Sequence, residues 1–233
     1  MTAIKGSTVL VTGGNRGLGK ALVASLYARG AKTVYATARD PRTVTHPDAV
    51  PLALEVGDPA SVAAAAERAQ DVTILINNAG AFVGASFLDA PVEDVRREFE
   101  TNFYGPLNTA RAFVPIIERN GGGHILNVAS VLSWAALSGS YSASKAALWS
   151  QTNSLRLDLR DRGIGVTGLY VGYIDTDMAA RVDAPKSSPE SVADQALDGI
   201  ESDAFEVLAD DLTRNVHAGL SAGIPALYPQ LAG

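Results

Sequence analysis

Residues 7–30 read Ser-Thr-Val-Leu-Val-Thr-Gly-Gly-Asn-Arg-Gly-Leu-Gly-Lys-Ala-Leu-Val-Ala-Ser-Leu-Tyr-Ala-Arg-Gly, and this stretch decides the fold. Ser7 to Thr12 is a short apolar, β-branched run. Lys20 to Arg29 is rich in helix formers and ends at Gly30, a C-cap residue. Strand, glycine turn and helix in that order open a βαβ unit. The glycines allow a tight backbone and the close approach of a ligand. The helix N-terminus behind them offers unpaired N–H groups and a positive dipole end, which suit a pyrophosphate. The spacing is Thr-Gly-x-x-x-Gly-x-Gly, from Thr12 to Gly19, not Gly-x-Gly-x-x-Gly.

The same alternation continues outward. Lys32 to Ala38, Val50 to Val56, Asp71 to Ile76, His124 to Ala129, Ile164 to Val171 and Phe205 to Ala209 read as further strands. Between them lie the alanine-rich helix Ser61 to Gln70, capped by Asp58 with Pro59 at its first position, and the long helical region Pro91 to Arg119. Tyr141 to Arg162, Ser188 to Glu201 and Asp211 to Leu220 are the later helices, and Val131 to Ser140 is a loop. Strands alternating with helices predict a seven-stranded, doubly wound parallel sheet covered by helices on both faces, as one α/β domain over residues 1–233. A substrate loop is expected at about 173–189, polar and mobile from Asp183 to Pro189, and an irregular tail at about 221–233.

Composition excludes several classes. Hydrophobic residues make up 47% and charged residues 19%, and the formal charge is -6, which argues against a nucleic-acid surface. The absence of cysteine removes disulfides, thiolate metal sites and cysteine nucleophiles, and fits a reducing, cytoplasmic setting. No apolar run reaches membrane-spanning length and the first residues do not form a signal peptide. His46, His124 and His217 lack ligand spacing, so they read as surface or partly buried residues and no metal is expected.

Tyr141 and Lys145 are four apart, which puts both side chains on one helix face. An ammonium beside a phenol stabilises the phenolate and lowers its pKa, so that the pair can pass a proton to or from an alcohol oxygen. In open α/β sheets ligands bind beyond the carboxyl ends of the strands. The glycine loop, Arg39, Asn78, Ser130 and Gly172 all fall at those ends. Arg39 ends the second strand, where a dinucleotide's ribose is bound about 20 residues past the last glycine. With Arg16 inside the loop, two guanidiniums can clamp a 2′-phosphate, which favours NADP over NAD. Asp40 is the competing ribose partner. Asn102 lies one turn before Pro106, which frees a helical carbonyl.

Taken together, Thr12-Gly13-x-x-x-Gly17-x-Gly19, Asn77-Asn78-Ala79-Gly80, Asn102, Ser130 and Tyr141-x-x-x-Lys145 resemble the short-chain dehydrogenase/reductase family, over nearly the whole chain from Thr8 to about Ala209. The resemblance implies a Rossmann fold and an NADP(H)-dependent oxidoreductase acting between a carbonyl and an alcohol. It implies Tyr141 as general acid, Ser130 as hydrogen-bond donor to the carbonyl oxygen, Lys145 on the nicotinamide ribose and Asn102 holding a water in a proton relay. The cofactor would lie on Thr12, Gly13, Asn15, Arg16, Gly17, Leu18 and Gly19, with Arg39, Glu55 and Val56 at its adenosine end. Asn78, Ala79, Gly80, Gly172, Ile174 and Thr176 would follow it toward the nicotinamide, beside Tyr141 and Lys145.

There are departures from the family pattern. Tyr141 follows Ser130 by 11 positions, about two fewer than is common; Ser133 is closer still, so Ser130 is kept. Val171-Gly172 replaces the usual Pro-Gly, Glu55 stands where Asp is more usual, and the chain after Asp210 lacks the usual glycine-rich finish. A homodimer through the two long helices is expected, with a homotetramer as the alternative. Leu132, Trp134, Leu137, Phe82, Val83, Tyr173 and Met178 form a mostly apolar set around the substrate, which points to a hydrophobic ketone or aldehyde; the alternative packs Trp134 and Leu137 into the core or a dimer. Two other functions compete: a non-catalytic NADP-binding regulator of the same fold, and a lyase-type relative such as a halohydrin dehalogenase. The intact glycine loop, Tyr141 and Lys145 speak against both.

Overall fold

The structure, a computed structural model, describes residues 2–231; Met1 and the end of the expected tail, Ala232 and Gly233, lie outside the described residues. Seven strands among the described residues form one parallel sheet: β1 (Thr8–Val11), β2 (Thr33–Ala38), β3 (Val50–Ala53), β4 (Ile74–Asn77), β5 (Gly123–Val128), β6 (Ile164–Tyr170) and β7 (Glu206–Leu208). Their order is β3-β2-β1-β4-β5-β6-β7. The order reverses between β1 and β4, and such a switch point opens a crevice at the strand ends.

Side chains alternate across each strand, and the two sets feed two cores. Val9, Val11, Ile74, Ile76 and Leu126 pack with Leu22 and Leu26 of α1 (Gly17–Ala28) and with Leu197 and Ile200 of α6 (Pro189–Ser202). Leu10, Leu75 and Ile125 pack on the other face with Val62 of α2 (Pro59–Arg68), and with Phe113 and Ile117 of α4 (Gly105–Arg119). A sheet covered on both faces needs apolar residues at successive positions, which is why these strands read as unbroken hydrophobic runs. β3 is an edge strand, and only there can Pro51 sit without costing a ladder bond. Asp58 caps α2 by accepting from the Ala60 N–H at 2.9 Å, with Pro59 behind it, as the sequence predicts.

Three elements differ from expectation. The region Pro91 to Arg119 is not one helix but α3 (Val92–Phe99), a π-helical turn (Glu100–Tyr104) and α4. Pro106 has no N–H to donate to the carbonyl of Asn102, and the widened turn precedes it. The helix α5 (Gly139–Leu159) starts two residues earlier than Tyr141, and a 3-10 turn, Val131–Ser133, sits within the expected loop. After α7 (Asp211–Ala218), the tail expected to be irregular contains short helical turns, among them α8 (Ile224–Leu227); Tyr228, which follows it, accepts at its hydroxyl from the Ala136 N–H at 2.8 Å.

Candidate active site

The carboxyl ends of β1 and β4 are tied by side chains that the sequence singled out. Thr12 is buried, and its Oγ1 accepts from the N–H groups of Asn78 and Ala79, each at 2.9 Å. Asn78 Nδ2 donates to the carbonyls of Thr12, at 2.9 Å, and Gly13, at 3.2 Å. The glycine loop then folds back on α1. Gly13 has φ +65, and a Cβ on Gly19 would stand 2.0 Å from the Gly13 oxygen, so no other residue fits there. Arg16 precedes α1 without a capping side-chain bond, and the first turn holds no acidic residue. The free N–H groups of that turn therefore face a cleft of ≈ 1260 Å³ with nothing anionic beside them on the helix.

Of the residues expected to hold the cofactor, Gly13, Asn15, Arg16, Gly17, Leu18 and Gly19 line this cleft, as do Arg39, Glu55, Val56, Asn78, Ala79 and Gly80. Gly172, Ile174 and Thr176 complete the far wall. Thr12 does not reach the cleft; it shapes the loop from behind. Arg39 is 82% exposed, with Nε 3.8 Å from Glu55, and Arg16 Nη1 lies 3.7 Å from Asp177. Asp40 faces Arg42, whose Nε and Nη2 both donate to its carboxylate at 2.9 Å. That guanidinium holds the Asp40 carboxyl below its usual range.

Ser130, Tyr141 and Lys145 line the same cleft. Ser130 follows β5 and caps the 3-10 turn, its Oγ accepting from the Leu132 N–H at 3.1 Å. Lys145 is buried and donates from Nζ to the Val128 carbonyl at 2.8 Å. Burial lowers Lys145 to about 8. Tyr141 runs against expectation: burial pushes its phenol up to about 12, the neighbouring Ser130 hydroxyl pulls it down and the Glu98 carboxylate pushes it up. Lys145 does not supply the expected lowering: its ammonium is bonded to the Val128 carbonyl and stands 5.7 Å from the centre of the Tyr141 ring, so desolvation of the phenolate decides the direction. Asn102 is buried behind the wall, outside the cleft lining. Its amide accepts from the Ala81 N–H at 2.9 Å and donates to the Ala81 carbonyl at 2.9 Å and to Ser144 Oγ at 3.0 Å.

Among the expected substrate residues, Leu132, Tyr173, Met178 and Phe82 line the cleft, and the Phe82 ring meets the Tyr141 ring edge-on at 4.9 Å. Trp134 does not. It is 9% exposed, stacked on Tyr170 at 4.5 Å and tilted against His217, so it belongs to the core beneath the last strands. Leu137 is 59% exposed and also lies off the cleft lining, and Val83 is off it with its N–H committed to Glu98. Ser133 is buried away from the cleft, which supports Ser130 as the hydroxyl of the site.

Some positioning groups carried no signal in the sequence. The Val128 carbonyl that holds Lys145 is main chain. A buried chain links Thr109 Oγ1 to Asn77 Oδ1 at 2.7 Å, Asn77 Nδ2 to Asn127 Oδ1 at 2.9 Å and Asn127 Nδ2 to Thr152 Oγ1 at 2.9 Å. It fixes α4, β4, β5 and α5 relative to one another and so fixes the wall carrying Lys145. Only its first Asn was marked by position in the sequence.

Comparison with known proteins gives one consistent result. The family profile described as short chain dehydrogenase matches residues 7–187. A ketoacyl reductase, HetN, of Nostoc sp. is 30% identical over 232 residues, covering 90% of this chain and 80% of that protein. The crystal structure of a short chain dehydrogenase from Burkholderia cenocepacia in complex with NADP is 38% identical and covers 100% of both chains, with a TM-score of 0.94. A short chain dehydrogenase/reductase from Burkholderia phymatum in complex with NAD is 25% identical, covering 95% of this chain and 96% of that one, with a TM-score of 0.84.

Proposed function

The chain belongs to the short-chain dehydrogenase family of oxidoreductases, and on that premise we propose that it is an NADP(H)-dependent enzyme that interconverts an apolar ketone or aldehyde with its alcohol. One observation carries this reading: the Ser130 hydroxyl, the Tyr141 phenol and the Lys145 ammonium meet on one wall of the cleft whose other end is the glycine loop.

The residues fit the cofactor. The tight Gly13–Gly19 turn and the uncapped N-terminus of α1 suit a pyrophosphate. Arg39 and Arg16 suit a 2′-phosphate; Asp40 lines the cleft beside Arg39, but its carboxylate is engaged bidentately by Arg42. When bound, NADPH supplies the hydride. The chain's own part is electrostatic and acid–base. Ser130 and Tyr141 direct O–H groups to the carbonyl oxygen, where negative charge grows as the carbon is reduced. Tyr141, held protonated at neutral pH, donates its proton to that oxygen. Lys145, fixed by Val128, holds the ribose and places positive charge behind the phenol. The carbonyl of Asn102, which has no donor at Pro106, would be the acceptor for a water returning the proton from solvent.

The apolar walls from Phe82, Leu132 and Met178 favour a hydrophobic carbonyl substrate, in keeping with the ketoacyl reductase named among the relatives. The test is a panel of aromatic and aliphatic ketones and aldehydes set against polyols, followed by loss of the reduced nicotinamide band. Turnover of the apolar carbonyls is expected; turnover of polyols alone would contradict the substrate reading. Among the described residues no helix is long and apolar enough to cross a membrane. We assign the enzyme to the cytoplasm on its cysteine-free composition, and assign a homodimer to the two long helices α4 and α5, on the second of which Trp149 and Leu157 are exposed. Fractionation of cells would check the first, and sedimentation of Trp149→Glu, expected as a monomer, the second.

A further inference from the structure

Glu98 is a charged residue in the core. It stands in the last turn of α3, is 0% exposed, and makes no ion pair among the described residues. Burying a carboxylate costs several kcal/mol unless hydrogen bonds replace its water. Here three do. Oε1 accepts from the main-chain N–H groups of Val83, at 2.5 Å, and Gly84, at 2.9 Å, and Oε2 accepts from the Ser140 hydroxyl.

These partners come from two elements that meet at the catalytic phenol. Val83 and Gly84 follow Phe82, whose ring packs edge-on against Tyr141. Ser140 immediately precedes Tyr141 in the first turn of α5. The same two elements touch once more: the Ser140 N–H donates to the Ala85 carbonyl at 3.1 Å, and a Cβ on Gly139 would stand 2.1 Å from that oxygen. Asn102 holds the loop one step earlier, at Ala81. Loop 81–85 is thus fastened to α3 and the π-helical turn on one side and to α5 on the other: Asn102 bonds Ala81 and Ser144, and Glu98 bonds Val83, Gly84 and Ser140, the residue next to Tyr141.

We propose that Glu98 is a positioning residue for Tyr141: its carboxylate clamps the Phe82–Gly84 loop to the first turn of α5 and so sets where the phenol stands over the substrate carbonyl. The inference rests on the assignment of Tyr141 as proton donor. The nearby carboxylate also opposes loss of the phenol's proton, which keeps the acid form in place.

The test compares Glu98→Ala, Glu98→Gln, Ser140→Ala and Tyr141→Phe in NADPH-dependent carbonyl reduction. Misplacing a reacting group by about 1 Å costs roughly 10²-fold in rate. Glu98→Ala is expected to lose kcat on that scale while the KM for NADPH, set at the glycine loop, stays within about twofold of the wild type. In Glu98→Gln the amide oxygen still accepts from the two N–H groups and the amide nitrogen can donate to Ser140, so most of kcat is expected to return. Ser140→Ala breaks one arm only and is expected to lose kcat by roughly tenfold, and it carries the test if Glu98→Ala does not fold. Wild-type kcat in a folded Glu98→Ala or in Ser140→Ala would overturn the clamp, as would a rise in the NADPH KM that matches the fall in kcat. Retained turnover in Tyr141→Phe would instead refute the proton-donor reading, whatever the Glu98 variants do.

Discussion

Lys145 directs its ammonium to the main-chain carbonyl of Val128, with Nζ 2.8 Å from the oxygen, and stands 5.7 Å from the centre of the Tyr141 ring. The bond anchors the lysine to the end of β5, so its position is set by the sheet and not by the phenol. Burial lowers Lys145 to about 8 and raises Tyr141 to about 12. The group that changes charge first as pH rises is therefore the lysine. We expect kcat/KM for carbonyl reduction to fall through about pH 8, as the ammonium is lost, and Lys145→Arg to move that limb upward because a guanidinium stays charged. A profile that stays flat through that range would deny the lysine its charged role.

Cofactor choice is expected to sit in two arginines, one acting on NADPH and the other, through Asp40, on NADH. Arg39→Ala removes charge-assisted bonds to a 2′-phosphate, each worth about 1.5–3 kcal/mol, and is expected to raise the KM for NADPH by roughly 10- to 100-fold with little change for NADH. Arg42→Ala frees the Asp40 carboxylate that it now binds at 2.9 Å, and is expected to improve use of NADH. Steady-state kinetics with both cofactors would check this; equal losses for NADPH and NADH in Arg39→Ala would place the 2′-phosphate elsewhere.

Trp134 and Leu132 are two residues apart but are expected to report on different properties. Trp134→Ala empties a buried site stacked on Tyr170 and is expected to cost about 3–5 kcal/mol of stability. Leu132→Ala changes the cleft wall and is expected to alter the carbonyl substrate's KM while the folded state is little affected. Urea denaturation beside substrate kinetics separates the two; the reverse pairing would show that Trp134 faces the substrate.

His124 makes stability pH-dependent on the acid side. It is buried in β5, its Nε2 is 2.8 Å from Thr167 Oγ1, and burial lowers its pKa from 6.5 to about 4. The unfolded chain takes up the proton near pH 6.5 and the folded chain only near 4, so stability is full above about 6.5 and is lost as pH falls toward 4. The loss is on the order of 3 kcal/mol. Denaturation midpoints at neutral and acid pH are expected to fall further for the wild type than for His124→Gln, whose side chain does not titrate there; equal falls would remove the histidine from the effect.

The parts of the fold legible in the sequence are those whose cause is local. A strand buried on both faces is an apolar run, a phosphate turn is a set of glycines before a helix, and Asp58-Pro59 is a helix start, so the sheet and the glycine loop could be read from neighbours in the chain, while Ser130 joins Tyr141 and Lys145 only through the family resemblance. What escaped depends on partners far along the chain. Glu98 lies among Arg96, Arg97 and Glu100 and reads as part of a solvated face; only the docking of loop 82–84 buries it. Trp134 reads as a pocket wall in an apolar loop, but Tyr170 and His217 draw it inward. The direction of the Tyr141 shift is not legible in the sequence, where an amine four residues away is visible but desolvation, a property of the assembled site, is not.

The central claim is that Tyr141 gives its proton to a carbonyl oxygen beside a bound nicotinamide. It is tested most directly by following oxidation of NADPH with an apolar ketone in the wild type and in Tyr141→Phe, with NADPH binding measured separately by fluorescence. The expected result is a fall in kcat of roughly 10²–10⁴-fold with NADPH affinity unchanged. Near-wild-type turnover in the phenylalanine variant would contradict it.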